Sequence, residues 1–245
     1  MLGNRMATAG DIQKALERHA NAEDAIFLQR FFKTGEGQYG AGDVFIGIRV
    51  PQTRQVCRQF KDVPLDEVEI LLKSPIHECR LAAVILLTNL FAKADESERK
   101  KIYEFYLTAL NGGCINNWDI VDSSAEFIIG GYLFSKPKKI LFTLAASNDV
   151  WHRRAAVLAT FQFIKRGNAT VTLELAEVLL HDPHDLIQKA VGWMLREIGK
   201  RIDRRPLLAF LDKHAYEMPR TMLRYAIEHL PPSQRKMYMQ KKERL

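Results

Sequence analysis

Cysteine is scarce in this chain, and the little there is does not cluster. Cys57, Cys79 and Cys114 stand far apart, with no Cys-x-x-Cys and no His-x-His spacing. That pattern excludes a disulfide framework and offers no zinc site, so the thiols are expected to be reduced and in the core. Long apolar runs are missing as well. None reaches the roughly 18 residues of a membrane span, and Met1-Leu2-Gly3-Asn4-Arg5 is not followed by the apolar stretch of a signal peptide. The expectation is a soluble, cytoplasmic protein with no membrane partner. No segment alternates with the period of two of a half-buried strand, which removes sheet folds from consideration. The one glycine-rich loop, Tyr39 to Val50, lacks the Gly-Lys-Ser/Thr ending of a phosphate cradle. Its first reading is a connector and its second a nucleic-acid contact. The histidines, among them His77, His152, His181 and His184, stand in no recognisable nucleophile motif. Neither a metal nor a cofactor is indicated.

What is present is an ordinary globular composition with a basic bias. Hydrophobic residues make up 47% and charged residues 27% of 245 positions, too apolar for a disordered chain and enough for one domain over residues 1–245. Lys and Arg number 36 against 29 Asp and Glu, giving a net charge of +7 and a pI near 9.3. That excess favours a polyanionic partner, although solvated surface charge produces the same count. The tail from residue 234 to 245, with Arg235, Lys236, Lys241, Lys242 and Arg244, reads as a frayed basic helix.

After residue 50 nearly every segment carries apolar residues at helical spacing, so the class is all-α. Pro51, Pro64, Pro75, Pro137, Pro183, Pro206, Pro219 and Pro231 mark helix starts, where proline is tolerated. About a dozen helices of roughly 10 to 18 residues are expected. Several share a pattern, a basic residue before small residues and an apolar run. Their alanines, Ala82, Ala155, Ala190 and Ala226, are separated by 73, 35 and 36 residues, the first gap being about two periods. A copy is therefore missing near residue 118. Helix pairs at this period stack into a curved, right-handed solenoid, whereas an irregular bundle repeats alanine only by chance.

The position of the missing copy holds Asn116-Asn117-Trp118-Asp119-Ile120-Val121-Asp122-Ser123-Ser124. At 100° per residue Ile120, Val121, Ser124, Phe127 and Ile128 form an apolar stripe, while Trp118 and Asp122 share another face one turn apart. Either the indole packs on a neighbouring helix and Asp122 pairs structurally, or an aromatic and a carboxylate are displayed together for chemistry. A second tryptophan lies off the buried stripe of its helix. Leu186, Ile187, Ala190, Val191, Met194, Leu195 and Ile198 form that stripe, leaving Trp193 among Lys189, Arg196 and Lys200. An aromatic among three cations suits a phosphate backbone with a base or sugar, and equally suits an indole covered by lysine stems. Arg153 and Arg154 open a helix apolar nearly all round. Periodicity does not decide which of them meets DNA, and an ion pair is an equal alternative. Trp151 beside them reads as core.

Four stretches in order resemble the AlkD-like DNA alkylation repair family of bacterial DNA glycosylases, over about residues 25 to 230. They are Phe45-Ile46-Gly47-Ile48-Arg49-Val50-Pro51 with Arg54, Trp118-Asp119-x-Val121-Asp122, Trp151-x-x-Arg154-Ala155-Ala156, and Ile187 to Glu197 through Gly192-Trp193. The resemblance implies a curved stack of HEAT-like repeats holding double-stranded DNA in a basic groove. It implies excision of N3- or N7-alkylated purines without a cofactor. The family's groove tryptophans and catalytic aspartate fall on Trp118, Trp193 and Asp122, and its groove arginine on Arg154. Arg153, Lys189, Arg196, Lys200 and Arg49 are expected to contact the DNA, and the protein is expected to act as a monomer. The alternative is a helical scaffold that binds DNA or protein without chemistry. Asp122 separates the two, because a scaffold gains nothing from a carboxylate facing phosphates.

Overall fold

A computed structural model describes residues 6–240, and the regular secondary structure among them is helical. The only strand-like pairing among these residues is an isolated parallel bridge between Val44 and Ile76. No helix in them is long and apolar enough to cross a membrane. The chain divides into two compact units, Met1–Ser124 and Ala125–Leu245.

The first unit contains α1 (Ala9–Glu17), α2 (Ala22–Phe31), α3 (Val50–Cys57), α4 (Leu65–Leu72), α5 (His77–Lys93), α6 (Glu96–Asn111) and α7 (Trp118–Asp122). Local chemistry sets several of their starts. Thr8 with Asp11, and Asp95 with Glu98, form reciprocal capping boxes. Pro51 lies in the first turn of α3 and Pro64 caps α4. The helix α5 is buried nearly all round, with α1, α3, α4, α6 and α7 packed on it. Such a helix must satisfy its polar residues internally, and His77, Glu78 and Arg80 are all buried on it.

The second unit opens with a π-helical segment (Glu126–Gly130) and continues through α8 (Gly131–Leu133), α9 (Lys139–Ala145), α10 (Val150–Ala159) and α11 (Phe161–Lys165). It ends with α12 (Thr170–Val178), α13 (Asp185–Arg201), α14 (Arg204–His214), α15 (Arg220–Ala226) and α16 (Pro232–Gln240). Here α10 packs on the π segment, α9 and α13, and α13 on α12, α14 and α15, the helix-pair order expected of a repeat. Ala82, Ala155, Ala190 and Ala226 fall on α5, α10, α13 and α15 and are all buried. At the place of the missing copy, near residue 118, lies α7, only five residues long. Close packing of α13 on α15 needs Gly192, where a Cβ would lie 2.4 Å from the Met222 carbonyl oxygen.

Some expectations are corrected. Many helices are shorter than ten residues, because turns at Gly112-Gly113, Gly167 and the prolines cut the periodic segments. Phe127 is not on the apolar stripe but 43% exposed. The helix breaks after Asp122 and resumes as a π turn, which resets the angular register that a constant 100° assumes. Cys57 and Cys79 are buried thiols, whereas Cys114 is half-exposed in the loop after α6. The start of the tail is not frayed: Tyr238 of α16 is buried and donates to Asp212 Oδ1 at 3.0 Å. Lys241, Lys242 and Arg244 lie outside the described residues.

Candidate active site

The first unit holds Trp118 and Asp122 at the two ends of α7. Five residues make barely more than one turn, too few for a helix to hold itself, so tertiary contacts must fix it. Asn117 caps it, accepting from the Trp118 amide at 2.8 Å and donating from Nδ2 to Asp43 Oδ2 at 3.1 Å. One face of the half-buried Trp118 ring stacks on Phe32, centroids 4.9 Å apart and planes 6° from parallel, and Phe31 meets it edge-on at 5.9 Å. Packing against a helix terminus, one of the two outcomes open for Trp118, is therefore realised on that face. Asp122 is half-exposed. Its charge reaches the buried Tyr106, whose pKa is raised first by burial, while Ser124 Oγ lies 2.8 Å from its hydroxyl.

Behind Trp118 lies a polar cluster that the sequence did not reveal. His77 Nδ1 is 2.9 Å from Asp43 Oδ2, and Nε2 is 2.9 Å from Asp119 Oδ2, with all three residues buried. Arg80 donates from Nη2 to Asp43 Oδ1 at 2.5 Å. Burial opposes charge on His77, but the Asp119 and Asp43 carboxylates overcome it and raise its pKa to about 9. Burial likewise opposes charge on Asp43, and His77, Arg80 and Asn117 hold its carboxyl below its ordinary value. Next in sequence, the buried Glu78 accepts from the amides of Ile46, Gly47 and Ile48 at 2.8 to 3.1 Å, which pins the glycine-rich loop. Gly47 is required there: its φ is +83°, and a Cβ would strike the Asn21 carbonyl. The loop is thus a connector, with Gly40, Asp43, Phe45, Gly47 and Ile48 buried and Ala41, Gly42 and Val44 exposed. Beyond Ile48, Arg49 is exposed, paired with Asp24 and lying 5.0 Å over the Phe27 ring.

The second unit carries the remaining candidates. All seven residues of the α13 stripe are buried, and Trp193 lies half-exposed beside it, 5.8 Å from the Phe161 ring. Its surroundings are less cationic than the spacing suggests, because Nε1 donates to Glu197 Oε1 at 3.3 Å. Burial opposes ionisation of Glu197, but Arg201 and Arg196 keep its carboxyl below the usual value. An i, i+4 count from Trp193 finds this partner directly. Lys189 pairs with Asp185 at 2.8 Å, and Arg196 with Glu228 and Glu197. Lys200 is exposed at a cavity of about 250 Å³ shared with Arg196, Arg204 and His229.

The two arginines of α10 are distinguished here. Arg153 is committed to structure, donating from Nε to Asp182 at 2.7 Å and from Nη1 to the Ser147 and Asn148 carbonyls. Arg154 is buried and donates to the Leu186 carbonyl at 2.5 Å, tying α10 to the start of α13. Trp151 is buried, as expected.

Known proteins agree with this architecture. The family model described as "DNA alkylation repair enzyme" matches residues 12–230. A solved structure described as "Predicted DNA alkylation repair enzyme from Enterococcus faecalis" superposes with a TM-score of 0.70 at 18% identity, covering 87% of this chain and 98% of that one. At that identity the likeness establishes a shared fold. The search of curated proteins returned no match. With a helical architecture and a family match running over residues 12–230, this protein belongs to the DNA alkylation repair enzyme family.

Proposed function

We propose that this protein is a DNA glycosylase that hydrolyses the N-glycosidic bond of N3- or N7-alkylated purines in double-stranded DNA. The observation that carries the reading is Asp122, a half-exposed carboxylate one turn from a half-buried tryptophan in a DNA-repair family member of net charge +7. Facing DNA, an anion on the protein repels phosphate and is retained only where positive charge must be stabilised. Alkylation at N3 or N7 makes the purine cationic, so it departs without an acid. The C1′–N bond breaks, its electron pair neutralises the base, and positive charge passes to the deoxyribose as oxocarbenium character. Asp122 stabilises that charge and orients the water whose oxygen bonds to C1′, while the water's proton is released to solvent. Trp118 supports the cationic sugar through its π system, worth roughly 0.5 to 2 kcal/mol when desolvated. This chemistry calls for no metal.

Binding is assigned to cations. Lys189, Arg196, Lys200 and Arg49 are near enough to solvent to meet phosphates, and Trp193 offers a second aromatic surface among the first three. Arg153 is left out, since its Nε and Nη1 are engaged by Asp182 and two carbonyls. Arg154, largely buried, acts by holding α10 against α13.

The test is incubation of the full chain with a duplex carrying one 7-methylguanine. Release of free base with an abasic site left behind supports the proposal. Tight binding with no release beyond the spontaneous rate favours the scaffold reading instead.

A further inference from the structure

Nothing in the reaction as proposed uses His77, yet it is the polar centre of the first unit. Its two ring nitrogens join Asp43, in the loop before Phe45, to Asp119, in the first turn of α7. The second oxygen of Asp119, Oδ1, is buried with no hydrogen-bond partner, so His77 supplies the one hydrogen bond made by this carboxylate among the described residues. Asp119 sits directly between Asn117-Trp118 and the turn that ends at Asp122. The groups facing His77 are Asp43 and Asn117 on one side and Asp119 on another, with Arg80 reaching it through Asp43. Two aromatic rings complete its surroundings. Phe45 stacks on the imidazole at 4.4 Å, and Phe32 lies 4.9 Å from it while also stacking on Trp118. Polar and aromatic contacts thus run from the same histidine to the first two residues of α7, to Asp119 directly and to Trp118 through Phe32.

We propose that His77 is a positioning residue: by bridging Asp43 to Asp119 it locks the first turn of α7 and so sets the orientation of Trp118 and Asp122. A five-residue helix followed by a π turn has little rigidity of its own. With Asp119 released, the turn retains the Asn117 cap and the Phe32 stack but loses the contact that fixes its rotation about the helix axis. The two carboxylates outweigh the opposing effect of burial and keep the imidazole protonated through neutral pH, so the bridge consists of two charge-assisted hydrogen bonds. The significance for catalysis rests on the glycosylase reading, since displacing a stabilising carboxylate by about 1 Å costs on the order of 100-fold in rate. The local fixing of α7 does not depend on that reading.

The experiment uses the full chain with His77→Gln and, as a nearly isosteric second variant, Asp119→Asn. Amide hydrogen exchange is followed across the protein, and single-turnover release of 7-methylguanine is measured beside duplex affinity. The expected result is at least tenfold faster exchange over residues 118–122 with α13 unchanged. With it, the release rate should fall roughly 10- to 100-fold while affinity for undamaged duplex stays within about twofold. Unchanged exchange at 118–122, or equal acceleration everywhere, overturns the proposal, as does faster local exchange with a wild-type release rate. Should the wild-type chain release no base, the glycosylase reading fails, and the exchange pattern alone still decides whether His77 fixes α7.

Discussion

Raising the pH should loosen this protein well before its lysines titrate, and the amount follows from His77. Its ordinary pKa of 6.5 is raised to about 9 in the folded chain. The folded state therefore holds a proton that the unfolded chain gives up between these values, and stability falls as pH rises. The contribution is complete below pH 6.5 and gone above about pH 9. A separation of about 2.5 pKa units at 1.36 kcal/mol each corresponds to about 3 kcal/mol, which is large against a net stability of roughly 5 to 15 kcal/mol. The imidazole is essentially fully buried, so solvent screening does not reduce this much. Urea unfolding followed by circular dichroism at half-unit steps from pH 6 to 9.5 measures the slope. Thermal melts should move down by roughly 6 to 12 °C over the same range. In His77→Gln the slope between pH 6.5 and 9 should flatten. A flat wild-type profile, or one whose slope survives the substitution, refutes the assignment of a charged histidine between Asp43 and Asp119.

Other consequences are equally direct. Gly192→Ala places a methyl group 2.4 Å from the Met222 carbonyl oxygen and 2.6 Å from Tyr225 Cβ, so it should cost about 1 to 3 kcal/mol in urea unfolding; a neutral effect would mean α13 and α15 are not this close. Arg153→Ala removes the cation paired with the buried Asp182, leaving it only the His184 amide among the described residues, and should cost roughly 1.5 to 3 kcal/mol of stability with little change in duplex affinity; the opposite pattern would return Arg153 to the DNA contacts. Lys200→Glu should leave melting unchanged but weaken binding to all duplex sequences alike and reduce the salt slope by about 0.9 log unit or more. Sequence-selective weakening would contradict a phosphate contact.

How much of this was legible beforehand depended on the length of each periodic segment. The α13 stripe from Leu186 to Ile198 could be read residue by residue, because seventeen continuous residues of helix keep the 100° rotation intact. The same rule failed at Phe127, where a five-residue helix passes into a π turn and the rotation is lost. Repeat spacing located α7 within a few residues, since the small alanines it tracked are where helices approach closely. It could not separate Arg153 from Arg154. Both lie on a helix buried on most sides, and only the three-dimensional positions of Asp182 and the Leu186 carbonyl distinguish them. Angular spacing sets Trp193 among cations, yet its partner is the carboxylate of Glu197, one turn away. The His77 bridge left no trace in spacing. Its partners are 34 and 42 residues distant, and neither carboxylate occupies a position that periodicity marks.

The central claim is that Asp122 does chemistry rather than hold structure, and one substitution tests it. Asp122→Asn is nearly isosteric and removes only the charge that would face the developing oxocarbenium ion. Single-turnover release of 7-methylguanine, measured beside duplex affinity and melting temperature, should show excision falling by on the order of 100- to 1000-fold with binding and melting essentially unchanged. Trp118→Ala should lose less. Excision by Asp122→Asn at the wild-type rate would show that the carboxylate is structural, and the glycosylase mechanism proposed for this site would be wrong.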